Sequence, residues 1–314
     1  MNKLNIDILN NFTENNIPNL DVAVLGALEL FDTETIPKVD ISNYNRPIVI
    51  GSGNAEATGR IIFENTGAVF ASESNYQEKI KNILGIDGAF VISASGGKHA
   101  PGIVKYLNEV GLPVTLMTNT HGSLAGAEIK EDLKNIEYIF PKNREPYTYN
   151  TSTYMGMILG ATKENPKKIY EFLEKIVAKV SFPDFSTFDK YYLIVPPEFS
   201  GIIRMLNVKF IELFGRNIAR DIETSEYVQH ATTVAPAKEL FISFGKENTE
   251  WGNSDNRLHI PLPEAAGYVA MMAIGYYTIA QIQRVHPQYF KENIEEYLVG
   301  VSKIFNQTLS VIVE

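Results

Sequence analysis

Cysteine is missing from all 314 residues, which excludes disulfides, thiol nucleophiles and thiolate metal sites. Positive charge is in short supply: 28 Lys and Arg face 37 Asp and Glu, for a net charge of -9. That is the wrong sign for coating nucleic acid or an anionic membrane surface, so neither is an expected partner, although a local basic pocket for a small anion is still compatible with it. No run approaches the ~18 apolar residues of a membrane-spanning helix. The opening Met1-Asn2-Lys3-Leu4-Asn5-Ile6-Asp7 has no signal-peptide core, so a cytoplasmic location is expected. What is present is ordinary globular composition, 45% hydrophobic and 21% charged, on a chain long enough for two cores.

Apolar β-rich runs alternate with helical patterns. Strands are predicted at 46–50, 68–71, 89–92, 112–118 and 138–140, with helices at 20–31, 55–64, 77–84 and 102–110 between or before them. Such alternation implies βαβ units and a mostly parallel sheet. Helices at 151–161 and 166–180 follow, the second opening with Pro at a tolerated first-turn position. A second α/β half then begins at Tyr191-Tyr192-Leu193-Ile194-Val195. It continues through a long helix at 203–219, a strand at 239–244, a buried helix within 264–283 and an edge strand at 309–313.

Two loops carry candidate chemistry. Ser93-Ala94-Ser95-Gly96-Gly97-Lys98 ends a strand and precedes a helix start, so hydroxyls, bare backbone N–H groups and a cation are offered to an anion where helical N–H donors also point. Gly51-Ser52-Gly53-Asn54 stands at the same kind of strand–helix junction. Neither loop suits a nucleotide. The dinucleotide fingerprint wants Gly or Ala where Glu56 stands, and a Walker loop needs Ser or Thr where His99 follows Lys98. The bland alternative for each is a tight turn without a ligand. Two such loops on neighbouring parallel strands favour a ligand, because ligands collect at that sheet edge. In the second half, Lys209-Phe210-Ile211-Glu212 and Glu226-Tyr227-Val228-Gln229-His230 supply a carboxylate and an imidazole, the groups that move protons between sugar carbons or open a sugar ring. A solvated helix glutamate and a loop histidine are the structural alternatives. His121, His259 and His286 have no metal-ligand spacing, and neither a metal nor another cofactor is expected.

Taken in order, these segments resemble the SIS (sugar isomerase) proteins, especially the isomerase half of glucosamine-6-phosphate synthase and related ketosamine phosphate enzymes. The similarity runs from about Pro47 onward. It rests on Gly51–Asn54, Ala71-Ser72-Glu73-Ser74-Asn75-Tyr76, Ser93–Lys98, Thr118-Asn119 with Ser123-Leu124-Ala125, Thr151-Ser152-Thr153, Lys209–Glu212, Glu226–His230 and the tail Ser310–Glu314. The resemblance implies two flavodoxin-like α/β domains, each a mostly parallel sheet flanked by helices: a lead-in over 1–46, a first domain over 47–160 and a second over 161–314. It implies a homodimer with shared active sites and a phosphorylated sugar or amino-sugar as ligand. Phosphate would be held by Ser52, Ser93, Ala94, Ser95 and Lys98. Glu212 would be the base, His230 would help open the ring, and Lys209 would be a helper cation. The implied activity is phosphosugar isomerisation or ketosamine phosphate cleavage through a C1–C2 proton shuttle; a non-catalytic sugar-phosphate regulator is the alternative. Lys98 replaces the family loop's threonine, and Leu309 stands where the synthase tail has its lysine.

Overall fold

The computed structural model describes residues 3–130, 134–231, 234–235, 238–286 and 289–314. The chain divides into two compact units. One comprises Thr33–Asn143 and Asn150–Lys163; the other comprises Met1–Asp32, Arg144–Tyr149 and Glu164–Glu314.

The first unit is built on five strands, β1 (Pro47–Ile50), β2 (Val69–Ala71), β3 (Gly88–Ile92), β4 (Val114–Thr118) and β5 (Ile136–Ile139). All pair in parallel in the order β2-β1-β3-β4-β5. Every residue of β1, β3 and β4 is buried, as a parallel sheet covered on both faces requires. Ile48, Ile50, Val91 and Leu116 meet Val104 and Leu107 of the helix Ala100–Glu109 in the core. The chain leaves β1 for β2 on one side and returns past it to β3 on the other. The crevice beyond the carboxyl ends of β1 and β3 is therefore the topological switch point, the usual ligand position in such sheets. Both Gly/Ser loops lie there.

The second unit repeats the winding. Its main sheet has β7 (Lys190–Val195), β8 (Ala219–Thr224), β9 (Glu239–Phe244) and β10 (Arg257–Ile260), parallel in the order β10-β9-β7-β8, while β6 (Glu145–Pro146) pairs antiparallel with β11 (Ile312–Val313). The expected buried helix is Tyr268–Gln283. Its first turn is capped from outside by the Glu164 carboxylate, which accepts N–H bonds from Gly267 (3.0 Å), Val269 (2.8 Å) and Ala270 (3.1 Å).

Three sequence expectations change. The helix expected to reach 219 is Ile203–Phe214, and Ala219–Thr224 is a strand. Its charges hid it: only Ile222 and Thr224 are buried, the alternation of a half-covered edge strand. The tail does not edge either main sheet; its two paired residues lie on β6. The 1–46 lead-in is shared, with Met1–Asp32 in the second unit. There Glu29 caps the helix Leu4–Asn11 by accepting from the N–H groups of Asn5 (3.1 Å) and Ile6 (2.9 Å).

Candidate functional site

The Ser93–Lys98 loop is held from behind by its carbonyls. Ala94 O accepts from Asn119 N and Thr118 Oγ1, both at 2.8 Å, and Gly96 O accepts from Ala125 N at 2.8 Å. Asn119 is in turn fixed by Thr153 Oγ1, to which its Nδ2 donates at 2.6 Å. The Thr151–Thr153 helix start thus serves the loop by positioning Asn119. With these carbonyls pulled back, the N–H groups of Ala94 and Ser95 donate to no partner among the described residues. Gly96 (φ +60°) and Lys98 (φ +51°) take left-handed conformations that curl the loop. At Gly96 a Cβ would stand 2.4 Å from Ser123 Oγ, so the position strongly favours glycine. Ser95 and Lys98 are exposed and Ser93 is half-buried. Partial desolvation draws the Lys98 ammonium below its ordinary pKa. The result is a concave set of N–H groups and hydroxyls ahead of a ten-residue helix, suited to an anion.

Ser52 sits at the carboxyl end of β1, but its hydroxyl donates to Glu73 from the end of β2. That bond holds the Glu73 carboxyl below its ordinary pKa, with His99 adding a smaller pull in the same direction. Glu73 therefore belongs to this crevice; the sequence marked it only as part of the Ala71–Tyr76 segment after a short strand.

In the second unit, Lys209 is fully buried and its three N–H donors are all used. They go to Thr148 O (2.7 Å), Tyr149 O (2.9 Å) and Glu212 Oε2 (2.8 Å). The rings of Tyr149 and Tyr276 flank the ammonium with centroids 5.9 and 5.3 Å away. Glu212 keeps 21% of its side-chain surface exposed. Burial pushes its carboxyl up from the ordinary value, and the charge and hydrogen bond of Lys209 only partly offset this. The Tyr297 hydroxyl is pushed up to about 12 and that of Tyr147 is also raised, by burial first and then by the charge of Glu212. The two rings are 6.4 Å apart, and Tyr147 N donates to Val311 O, which brings the chain's last residues to this place.

No protein-family model matches the sequence, and no curated protein matches it. Solved structures do. The chain is similar to the tagatose-6-phosphate ketose/aldose isomerase from Escherichia coli (TM-score 0.58, 12% identity, 90% of each chain covered). It is also similar to the glucosamine-6-phosphate deaminase from Thermotoga maritima (0.55, 11%, covering 88% of this chain and 95% of that one). The C-terminal domain of glucosamine-fructose-6-phosphate aminotransferase from Francisella tularensis aligns over 87% of this chain and 94% of its own (0.54, 12%). The chain has the double sugar-isomerase (SIS) fold.

On this SIS fold the expected residues fall into three places. Ser93, Ala94, Ser95 and Lys98 form one loop, with Ser52 across the crevice but turned to Glu73. Lys209 and Glu212 form a bonded pair on one helix. His230 stands apart and exposed on the helix Ser225–Ala231; among the described residues, no hydrogen bond or ion pair joins it to Glu212. Sequence reasoning placed Glu73 in a family segment without giving it a role, and missed Tyr147 and Tyr297 as neighbours of these groups. Among the described residues no cluster of three His, Asp or Glu is arranged to hold a metal, and no helix is long and apolar enough to cross a membrane.

Proposed function

We propose that the chain is a phosphosugar isomerase or ketosamine phosphate deglycase that moves a proton between C1 and C2 of a sugar phosphate or amino-sugar phosphate. The reading is carried by the anion loop at the first unit's switch point, where outward N–H groups, Ser93, Ser95 and Lys98 offer a phosphate its donors and Ser52 lies nearby. Glu212 is the base in this reading. Its raised pKa suits a group that must both take and return a proton, and its hydrogen bond to Lys209 aims one oxygen. Lys209 has no donor left for substrate, so it acts as a positioning residue. His230 assists ring opening, and the protein works as a homodimer with shared sites.

The test is solvent exchange at the carbon that loses its proton, C1 of a ketose or C2 of an aldose. Fructose 6-phosphate (C1) or glucosamine 6-phosphate (C2) is incubated with the protein in deuterated buffer and followed by NMR. Exchange abolished by Glu212→Gln, with Ser95→Ala raising KM about tenfold for a lost charge-assisted hydrogen bond, is the expected result. A second reading, a sugar-phosphate regulator without turnover, is favoured by Leu309, which stands where the synthase tail has its lysine. Saturable binding with no exchange selects it. Absence of any thermal stabilisation by sugar phosphates, with Ser95→Ala without effect, defeats both.

A further inference from the structure

Aldose–ketose exchange moves two protons. One passes between C1 and C2, and the other passes between O1 and O2, because the carbonyl changes place. Glu212 serves the carbons, but the oxygens need a donor of their own, aimed at the charge that develops there. Lys209 does not supply it, since its three N–H groups are spent on Thr148 O, Tyr149 O and Glu212. His230 is tied to Glu212 by no hydrogen bond or ion pair among the described residues.

Around Lys209 and Glu212 the second unit closes a circuit of aromatic rings. The Lys209 ammonium lies 5.9 Å from the Tyr149 ring centroid, and Tyr149 lies 5.9 Å from Phe290 on the short helix Tyr289–Glu292. Phe290 meets Tyr297 edge-on at 6.1 Å, and Tyr297 meets Tyr147 at 6.4 Å. Tyr147 precedes Thr148, whose carbonyl returns the circuit to Lys209. Tyr297 stands on the helix Ile294–Phe305, half-buried, with its ring held between Phe290 and Tyr147. Its hydroxyl makes no hydrogen bond among the described residues, although a tyrosine so placed ordinarily finds a partner. Glu212 is in the matching condition: Oε2 accepts from Lys209, and Oε1 accepts from no described residue. Burial, then the charge of Glu212 and then Tyr147, pushes the Tyr297 hydroxyl up to about 12, so it remains a neutral donor at ordinary pH.

On the proton-shuttle reading, on which this inference rests, we propose that Tyr297 is a second catalytic residue, whose hydroxyl carries the proton between the oxygens while Glu212 carries the one between the carbons. With a ketose, Glu212 removes a proton from C1. The C1–H electron pair becomes the C1=C2 bond, the carbonyl π pair moves onto O2, and O2 takes the Tyr297 proton. In the second half the O1 proton passes to the Tyr297 oxygen, and the O1–H pair forms the C1 carbonyl. The C1=C2 pair then takes the proton from Glu212 at C2. Both side chains finish as they began, so the step needs no co-reactant.

Tyr297→Phe keeps the ring and its two ring contacts and removes only the hydroxyl. The intact protein is assayed for C1 exchange with fructose 6-phosphate in deuterated buffer. It is also titrated calorimetrically with fructose 6-phosphate and with 5-phosphoarabinonohydroxamate, a stable mimic of the enediolate. The variant should lose about 100-fold or more in exchange, as for one oxyanion donor removed. It should bind the hydroxamate about tenfold or more weaker, while fructose 6-phosphate affinity changes by less than about threefold. A residue that only walls the site would move the two affinities alike. An equal change in both, or exchange unchanged in the folded variant, overturns the proposal and leaves Glu212 as the base. A parent protein that exchanges nothing defeats the proton-shuttle reading, and the role of Tyr297 falls with it.

Discussion

Replacing Lys209 with methionine tests the coupling at the centre of the second unit. Methionine occupies most of the same volume, so the change removes charge and donors more than packing. Three bonds are lost, to Thr148 O, Tyr149 O and Glu212. A buried carbonyl left without its donor costs about 1 kcal/mol at the low end. Removing one partner of a buried ion pair costs about 3–5 kcal/mol. Glu212 retains 21% exposure, which places this pair at the lower bound, and the contributions overlap because one ammonium makes them all. The expected destabilisation is about 3–4 kcal/mol, a large part of an ordinary domain's stability. Its pH dependence has a defined sign. The Glu212 carboxyl already titrates above the unfolded value of 4.5, so the folded state binds the extra proton. Stability from this group is fully present below that value and is lost as pH rises through the folded pKa. Without Lys209 the folded pKa rises further, so the variant's deficit is smallest near about pH 4 and grows toward neutrality. Urea denaturation across this range measures it, and Lys209→Met/Glu212→Gln should recover about 1–2 kcal/mol of the loss. A deficit below about 1 kcal/mol, or one that is flat with pH and untouched by Glu212→Gln, refutes the reasoning.

Gly96→Ala places a Cβ 2.4 Å from Ser123 Oγ in a left-handed conformation. It should cost about 1–2 kcal/mol and weaken sugar-phosphate binding more than Gly97→Ala; calorimetric titration of the two variants checks this, and equal affinities contradict the role of the curl. Glu164→Ala strips three N–H groups of their acceptor and should lower stability by about 2–3 kcal/mol; thermal unfolding reads it, and a shift indistinguishable from that of Glu171→Ala speaks against the cap. At Gly252 (φ +74°) a Cβ would meet the Phe241 ring at 2.4 Å, so Gly252→Ala should both destabilise the chain and shift Trp251 emission. An unchanged spectrum means that the Trp251 loop is not rigidly tied to β9.

What could be read from sequence follows the strength of local signals. β1, β3 and β4 are short apolar runs ending in Gly or Ser, and such runs announce buried parallel strands whatever surrounds them. The Ser93–Lys98 loop was legible for the same reason, since its glycines and serines fall where the hydrophobic run stops. β8 escaped because an edge strand half in water carries Arg220, Asp221 and Glu223, which mimic a helix surface. Glu73 stood in a recognisable segment, but its part in the crevice was not legible because it depends on a hydrogen bond to Ser52, 21 residues away. In sequence Lys209 stood only as a helper cation by resemblance, with nothing to mark it as buried. Its burial arises from Thr148 and Tyr149, about 60 residues earlier, and from Tyr276 on the helix after β10.

The two units show how one winding separates into two chemistries. In both, the chain crosses from one side of its first strand to the other, so each sheet has one crevice where loops can reach a ligand without disturbing the core. What fills that edge is free to diverge, because loop residues there carry little of the packing. At β3 the edge became donors: free N–H groups, serines and Lys98 before a helix. At β7 and β9 it became acceptors: two prolines, five glutamates and a loop whose own carbonyls are consumed by Arg257.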